Sequence, residues 1–365
     1  MTSLSLPGPR LSRRRALAVL ATVPLTLGLA ACGSDDAADA AASGGVADEV
    51  RLGYFANVTH AAALIGVQQD LFTAELGDTT LTTQVFNAGP DEVEALFAGG
   101  LDAAYIGPSP TINAYGQSDG DAIRIISGAA SGGASLVVQP GITSPADLEG
   151  TTLASPQLGN TQDVALRTWL TDQGLENSVD GGGDVTITPT KNSDIVNLFR
   201  SGDLDGAWVP EPFASQLVLD AGGKVLVDER DLWPEGLFVT THLIVRTEFL
   251  QQYPETVAAL LRGNVAAVEL AGSDPVAAKA AVNAGLEAAG GSPLDAPVLD
   301  RAWEQLSVTY DPVASALELS AEHAVTAGTA EEQVDLDGIY DLGPLNTVLT
   351  EQGLPTVTAG GLGKE

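Results

Sequence analysis

The chain has 365 residues, with 48 acidic against 16 basic side chains and a formal charge of −32, a field that argues against nucleic acid and anionic lipid headgroups as partners. Its one cysteine, Cys32, rules out an internal disulfide, and its three histidines, His60, His242 and His323, are too scattered to form a helical metal pair. That length is enough for a large core and suggests two domains.

Arg13-Arg14-Arg15 precede an apolar run, Ala16 to Ala31, that closes as Leu29-Ala30-Ala31-Cys32. The run is shorter than the roughly 20 residues of a spanning helix. Basic start, short apolar stretch, small residues and then cysteine form the pattern of a bacterial lipoprotein signal. The expectation is removal of residues 1–31, lipidation of Cys32 and a lipid-anchored protein on the extracytoplasmic face of the cell membrane. Each buried acyl CH₂ adds about 0.8 kcal/mol, and two or more chains anchor stably. Ser12-Arg13-Arg14-Arg15-Ala16-Leu17 also matches part of a twin-arginine export motif, with a basic start for the general secretion route as the alternative. Losing Arg10, Arg13, Arg14 and Arg15 leaves 12 basic against 48 acidic residues, a charge of −36. Residues 32–48 are rich in Ala, Gly, Ser and Asp, with no large apolar residue before Val46, and read as a flexible tether.

From Glu49 short β-like runs alternate with helical stretches, the mark of an α/β fold. Strands are predicted at Val50–Tyr54, Leu81–Phe86, Ala103–Ile106 and Ile123–Ser127, with helices near Ala61–Leu71, Asp91–Ala98 and Pro110–Gln117. Ser135–Gln139 begins a crossover into a second lobe. The cycle then repeats as strand Thr152–Ala154, helix Thr161–Gln173, strand Val185–Thr188, helix Asp194–Ser201, strand Gly206–Val209, helix Glu211–Ala221 and strand Lys224–Val227. Leu237–Val245 reads as a return strand, and beyond Pro254 the chain is almost wholly helical, broken at Gly-Ser-Asp-Pro, Gly-Gly-Ser-Pro and Asp-Pro sequences. The expected division is lobe 1 over 49–138 and 237–350, lobe 2 over 139–236, and a C-terminal tail over 351–365.

Ligands of such folds sit outside the carboxyl ends of strands, facing helix N-termini. The strand-end loops therefore hold the candidate binding residues. Asn57 and His60 follow the first strand as side-chain donors, with helix capping as the alternative for Asn57. Ser109 after the third strand is a candidate N-cap with Pro110 as first helical residue, and Ser131 with Gly132 precedes the crossover where backbone can approach a ligand. Gln157-Leu158-Gly159-Asn160-Thr161-Gln162-Asp163 is the strongest candidate, because Asn160, Thr161 and Gln162 put amide, hydroxyl and backbone donors at one helix start. Behind them Asp163 pairs with Arg167 at i,i+4, and Gly174 can close the helix. Trp208 could wall a cleft, and Glu211 could bind an ammonium or simply favour a helix N-terminus. For Thr240-Thr241-His242 a core histidine competes with a cleft-facing one.

Together these loops resemble the substrate-binding lipoproteins of ABC importers for aliphatic sulfonates, nitrate and taurine. The residues carrying the resemblance are Gly53-Tyr54 with His60-Ala61, Ala104 to Pro110, Gly128 to Gly133, Gly159 to Arg167, Trp208 to Pro212 and Leu336 to Leu342, which span nearly all of the chain after the signal. The resemblance implies a two-lobed α/β clamshell, the type II periplasmic-binding-protein fold, with a helical C-terminal region. It further implies a small organic anion as ligand, a permease as partner, no catalysis and no cofactor. Ligand specificity does not carry over with the fold.

The expected mechanism places a sulfonate among Ser131, the Ser109 helix start and the Asn160–Gln162 helix start, with Trp208 and Tyr54 covering the organic part. Closure on a hinge near Gln139–Gly141 and Leu237–Thr240 would then create the shape a permease recognises. Taurine, nitrate and aromatic acids such as phthalate are alternative ligands, and a ligand sensor is an alternative role. An enzyme like the thiamine-pyrimidine synthases lacks support, because its cysteine-rich segment has no counterpart here. A monomer is expected.

Overall fold

The computed structural model describes residues 45–365. The expected signal peptide, Cys32 and most of the tether lie outside the described residues. Among the described residues thirteen strands form two sheets. Strands β1 (Glu49–Phe55), β2 (Thr80–Phe86), β3 (Ala103–Ile106) and β4 (Ile123–Gly132) lie in the first, and β5 (Ala134–Val138), β6 (Thr152–Ser155), β7 (Thr186–Pro189), β8 (Gly206–Pro210) and β9 (Lys224–Asp228) make the second. The chain then returns to the first sheet through β10 (Val239–Arg246), β11 (Leu306–Val308), β12 (Tyr340–Asp341) and β13 (Gly363–Lys364).

The first sheet has the order β13-β12-β4-β10-β3-β1-β2, with β11 also paired to β4. There β1 is parallel to β2 and β3, while β10 lies antiparallel between β3 and β4. The second runs β7-β6-β8-β5-β9, with β5 antiparallel to both neighbours. Parallel neighbours require crossover helices, which is why helices alternate with strands through both sheets.

Strand parity fixes the second lobe's interior. Successive strand side chains point to opposite faces, so Leu136, Val138 and Trp208 join one core with Trp169 and Leu166, while Val137, Ala207 and Val209 join another with Phe199 and Leu217. Both faces of this sheet are thus covered by helices.

Two boundaries differ from expectation. The passage between the sheets occupies Gly132-Gly133, not Gln139–Gly141: all five residues of β5 register against β8, and the Gln139 N–H donates to the Asp205 carbonyl at 2.8 Å. The segment 351–365 is no loose tail. Ala359 is fully buried, Leu354, Val357 and Leu362 pack on the first core, and β13 pairs with β12. The C-terminal region also contributes three short strands beside its helices.

Beneath β1, helix Gly89–Phe97 carries Glu92, fully buried with neither carboxylate oxygen bonded. Burial holds its carboxyl well above the usual carboxylate range. Gly53 is the residue that makes room, since a methyl group there would overlap the Glu92 carboxylate. In the unfolded chain Glu92 deprotonates in the ordinary range near 4.5, whereas the fold retains the proton. The unfolded state therefore gains as pH rises above that value, and the parent loses stability. Glu92→Gln, uncharged and similar in shape, is expected to match the parent near pH 4.5 and to exceed it by a margin that widens toward pH 8. Thermal melts across that range measure the margin, and a constant margin would contradict the assignment.

Candidate functional site

Between the sheets, the chain brings three loops together. The β1 loop presents Asn57 and His60, the β3 loop ends at Gly107, and the β6 loop leads into helix Thr161–Asp172. With Asn192, Pro210 and Thr240 they enclose a space of about 10 Å³, room for about one water. Phe55, Asn57 and Asn192 also line an adjoining chamber of about 510 Å³, which extends along Phe86, Asn87, Arg200, Phe213 and Gln216. The ligand-sized space is thus the chamber, and the small compartment is its polar end.

His60 is fixed as a donor. Its Nδ1 accepts the Phe55 N–H at 3.2 Å, so the ring proton sits on Nε2. Burial lowers its pKa to about 3, and it stacks on Phe55 with centroids 4.4 Å apart. Asn57 is buried, and its Oδ1 accepts from Thr59 Oγ1 at 2.7 Å.

Asn160 holds the N-cap position but does not cap. Its Oδ1 instead accepts the Gly89 N–H at 3.3 Å, a contact across the cleft. Thr161 and Gln162 occupy the first two helical positions, where backbone N–H groups have no intrahelical acceptor, and Thr161 Oγ1 is buried without a partner. Gly107 approaches this helix so closely that a methyl group on it would overlap Thr161 Oγ1. Here glycine serves close packing of two loops rather than a special backbone angle.

The acids of these loops are turned to structural use. Asp163 accepts from Ser155 Oγ at 2.6 Å, the Gly159 N–H at 3.0 Å and Arg167 Nε at 3.0 Å. The expected i,i+4 pair is therefore present, and both partners are buried. Glu211 does not await an ammonium. Its Oε2 accepts the Ser215 N–H at 3.0 Å and its Oε1 receives Arg301 Nη1 at 3.2 Å, with burial raising its pKa. Its backbone carbonyl accepts the Val58 N–H at 3.1 Å, a further contact across the cleft.

Several expected positions lie elsewhere. Trp208 is fully buried in the second lobe, where its Nε1 donates to Glu229 Oε2 at 2.7 Å and its ring meets Trp169. Tyr54 packs in the first core and lines neither compartment; its neighbour Phe55 lines both. Ser131 Oγ donates to the Phe238 carbonyl at 2.7 Å, and the Gly132 carbonyl accepts from Thr240 Oγ1. Both belong to the passage between the sheets. Ser109 is the second helical residue, after Gly107 as N-cap and Pro108. It faces a separate space of about 10 Å³ behind Thr161, lined also by Glu229, Trp233 and His323. Burial pushes the Glu229 carboxyl up to about 7. His242 is a core residue, its Nε2 3.1 Å from the Pro312 carbonyl. Asn192, with Oδ1 buried and unpartnered, joins the lining of both compartments; in the sequence the pair Lys191-Asn192 stands out only by following a strand, without a defined role.

The decisive electrostatic feature is an exclusion. In a chain with 48 acidic residues, among the described residues no Asp or Glu lines the small compartment or the chamber, and the charged residue lining the chamber is Arg200. Amides, hydroxyls, a neutral imidazole and aromatic edges make up much of the rest. Such a lining can hold an anion by its donors and an apolar body by its walls.

Two sheets, two crossings between them and a cleft ringed by strand-end loops define a two-lobed binding-protein clamshell. The alkanesulfonate-binding protein from Xanthomonas axonopodis pv. citri bound to MOPS has this fold: it superposes with TM-score 0.65 at 20% identity, over 80% of this chain and 96% of that one. The nitrate-binding protein of Synechocystis PCC 6803 superposes with TM-score 0.68 at 15% identity, over 84% and 90%. Residues 45–285 match the NMT1-like family, to which the chain belongs. By sequence it is 28% identical over 206 residues to the taurine-binding periplasmic protein of Escherichia coli (56% of this chain, 61% of that one). It is 26% identical over 183 residues to a putative aliphatic sulfonates-binding protein of Bacillus subtilis (48% and 51%). The matched part spans about three-fifths of the length of the first of these relatives.

Gly107→Ala is expected to leave the melting temperature within a few degrees but to hold the lobes apart, because the added methyl group and Thr161 Oγ1 cannot share one space. Small-angle scattering should show a larger radius of gyration than the parent under the same conditions. An unchanged radius would contradict the close approach.

Proposed function

We propose that this chain is the solute-binding component of an ABC importer and that its cleft captures a small organic anion, an aliphatic sulfonate by preference. The observation that carries the reading is that, among the described residues of so acidic a chain, no carboxylate lines either compartment. With the loops parted to widen the polar end, sulfonate oxygens would meet the backbone N–H groups of Thr161 and Gln162, the positive end of their helix, and the side-chain donors of Asn57, His60 and Thr161. The organic part would extend into the chamber along Phe55, Phe86 and Phe213.

The chamber favours a ligand with a body over nitrate. Its lack of acids favours a plain sulfonate over taurine, whose ammonium would find no carboxylate in the described lining. The sulfonate- and taurine-binding names of the relatives agree with this ligand class. The binding-protein names of the relatives support a role of capture and delivery. Lobe closure would present the loaded form to permease subunits. The Leu29-Ala30-Ala31-Cys32 sequence supports a lipid anchor that keeps the protein at the extracytoplasmic face. Among the described residues no helix is long and apolar enough to cross a membrane.

Calorimetric titration with alkane-1-sulfonates tests the reading. The double variant Asn160→Ala/Thr161→Ala is expected to lose at least about 1.5 kcal/mol, roughly tenfold in affinity, the lower end for hydrogen bonds to a charged group. Unchanged affinity in the folded double variant would contradict this site.

A further inference from the structure

The chamber falls in the ~300–1,000 Å³ range of pockets that enclose drug-sized ligands, more than a short alkanesulfonate fills. One face of helix Asn192–Ser201 builds much of its wall. Asn192, Ser193, Val196, Asn197 and Arg200 line it, spaced as a single helical face, while Ile195 and Phe199 bury in the lobe core. Asn192 also lines the small compartment and so marks the seam between the two spaces. Arg200 lies eight residues on, about 12 Å along the axis at 1.5 Å per residue.

Arg200 is unusual in this molecule. Among the described residues eight of the twelve lysines and arginines are ion-paired. The arginines outside that set are Arg124, which donates to the Gly120 and Ile123 carbonyls, and Arg200. Arg200, exposed on the chamber wall, donates to Asn197 Oδ1 at 3.2 Å, a contact one turn back. With 48 acidic residues in the chain, a guanidinium left without a carboxylate, in a chamber lined by none, is free for an outside anion. Its forked donors suit a carboxylate, sulfonate or phosphonate.

We propose that the chamber is a second ligand compartment, that Arg200 receives a second acidic group, and that the ligand class is an elongated organic dianion. Its sulfonate head sits at the polar end of the cleft, which Asn192 and the Thr161 helix start line together, and its second acid lies at Arg200, about 12 Å along the helix from Asn192. This rests on the sulfonate-binding reading above and narrows it.

The test is calorimetric titration of the whole protein with octane-1-sulfonate and octane-1,8-disulfonate. Expected for the parent is at least tenfold tighter binding of the disulfonate. In Arg200→Gln that ratio falls below threefold, and in Arg200→Lys it partly returns. Ethane-1,2-disulfonate, too short to reach both ends, shows no gain over ethanesulfonate. A parent ratio below threefold, or a ratio that survives Arg200→Gln, overturns the second compartment while leaving sulfonate capture standing. No binding of any sulfonate overturns both.

Discussion

A pair of glycines joins the two halves of this molecule. β4 ends at Gly132 and β5 begins at Ala134, so the chain passes from one sheet to the other through Gly132 and Gly133, at φ +79° and +78°. Only glycine adopts that backbone readily, and there is no room for a side chain. A Cβ on Gly132 would stand 2.9 Å from the Gln305 carbonyl oxygen, and one on Gly133 3.0 Å from Leu306 Cβ. The returning segment is laced to this passage: Thr240 Oγ1 donates to the Gly132 carbonyl and Ser131 Oγ to the Phe238 carbonyl. Side chains that looked like ligand donors therefore hold the crossings, and the cleft opens beside them.

Around that cleft the chain solves an electrostatic problem. The proposed anion site would lie inside a strongly acidic protein, where at physiological salt only charges within roughly 8 Å act strongly. Two carboxylates of the site loops, Asp163 and Glu211, are buried and given to Arg167, Arg301, the Ser155 hydroxyl and backbone N–H groups. Their charges are offset locally and they brace the loops. The inward groups are uncharged donors and helix starts, with Arg200 at the chamber's outer wall. Contacts across the cleft, Val58 to Glu211 and Gly89 to Asn160, run between the same loops, so closing the lobes and completing the lining are one event.

The succession of β1–β4 and β6–β10 along the chain was legible because strand-length runs of β-branched and apolar residues stand between turn signals, whereas β5 reads as the start of a crossover. β11, β12 and β13 have two or three residues each, too few to show alternation, and their pairing to β4 and β12 is a tertiary matter. Within the site, Asn57, His60 and Asn160–Gln162 could be picked out because polar donors followed strand ends. Trp208 misled because an indole at a strand end looks the same whether parity turns it to the cleft or to the core. Glu211 misled because its partner Arg301 lies 90 residues away. The chamber face of helix Asn192–Ser201 was hidden for a related reason, since Asn, Ser, Asn and Arg on one face read as a solvated surface.

The central claim is that the cleft selects anions by keeping carboxylates out, and Asn192→Asp measures it most directly. Asn192 lines both compartments and opens a helix, where an acidic side chain favours folding, so the variant should melt no lower than the parent. Calorimetry with butane-1-sulfonate at pH 8 should then show affinity at least tenfold weaker, because one negative charge now faces another in the pocket. Affinity within threefold of the parent, in a protein that melts normally, would contradict the account.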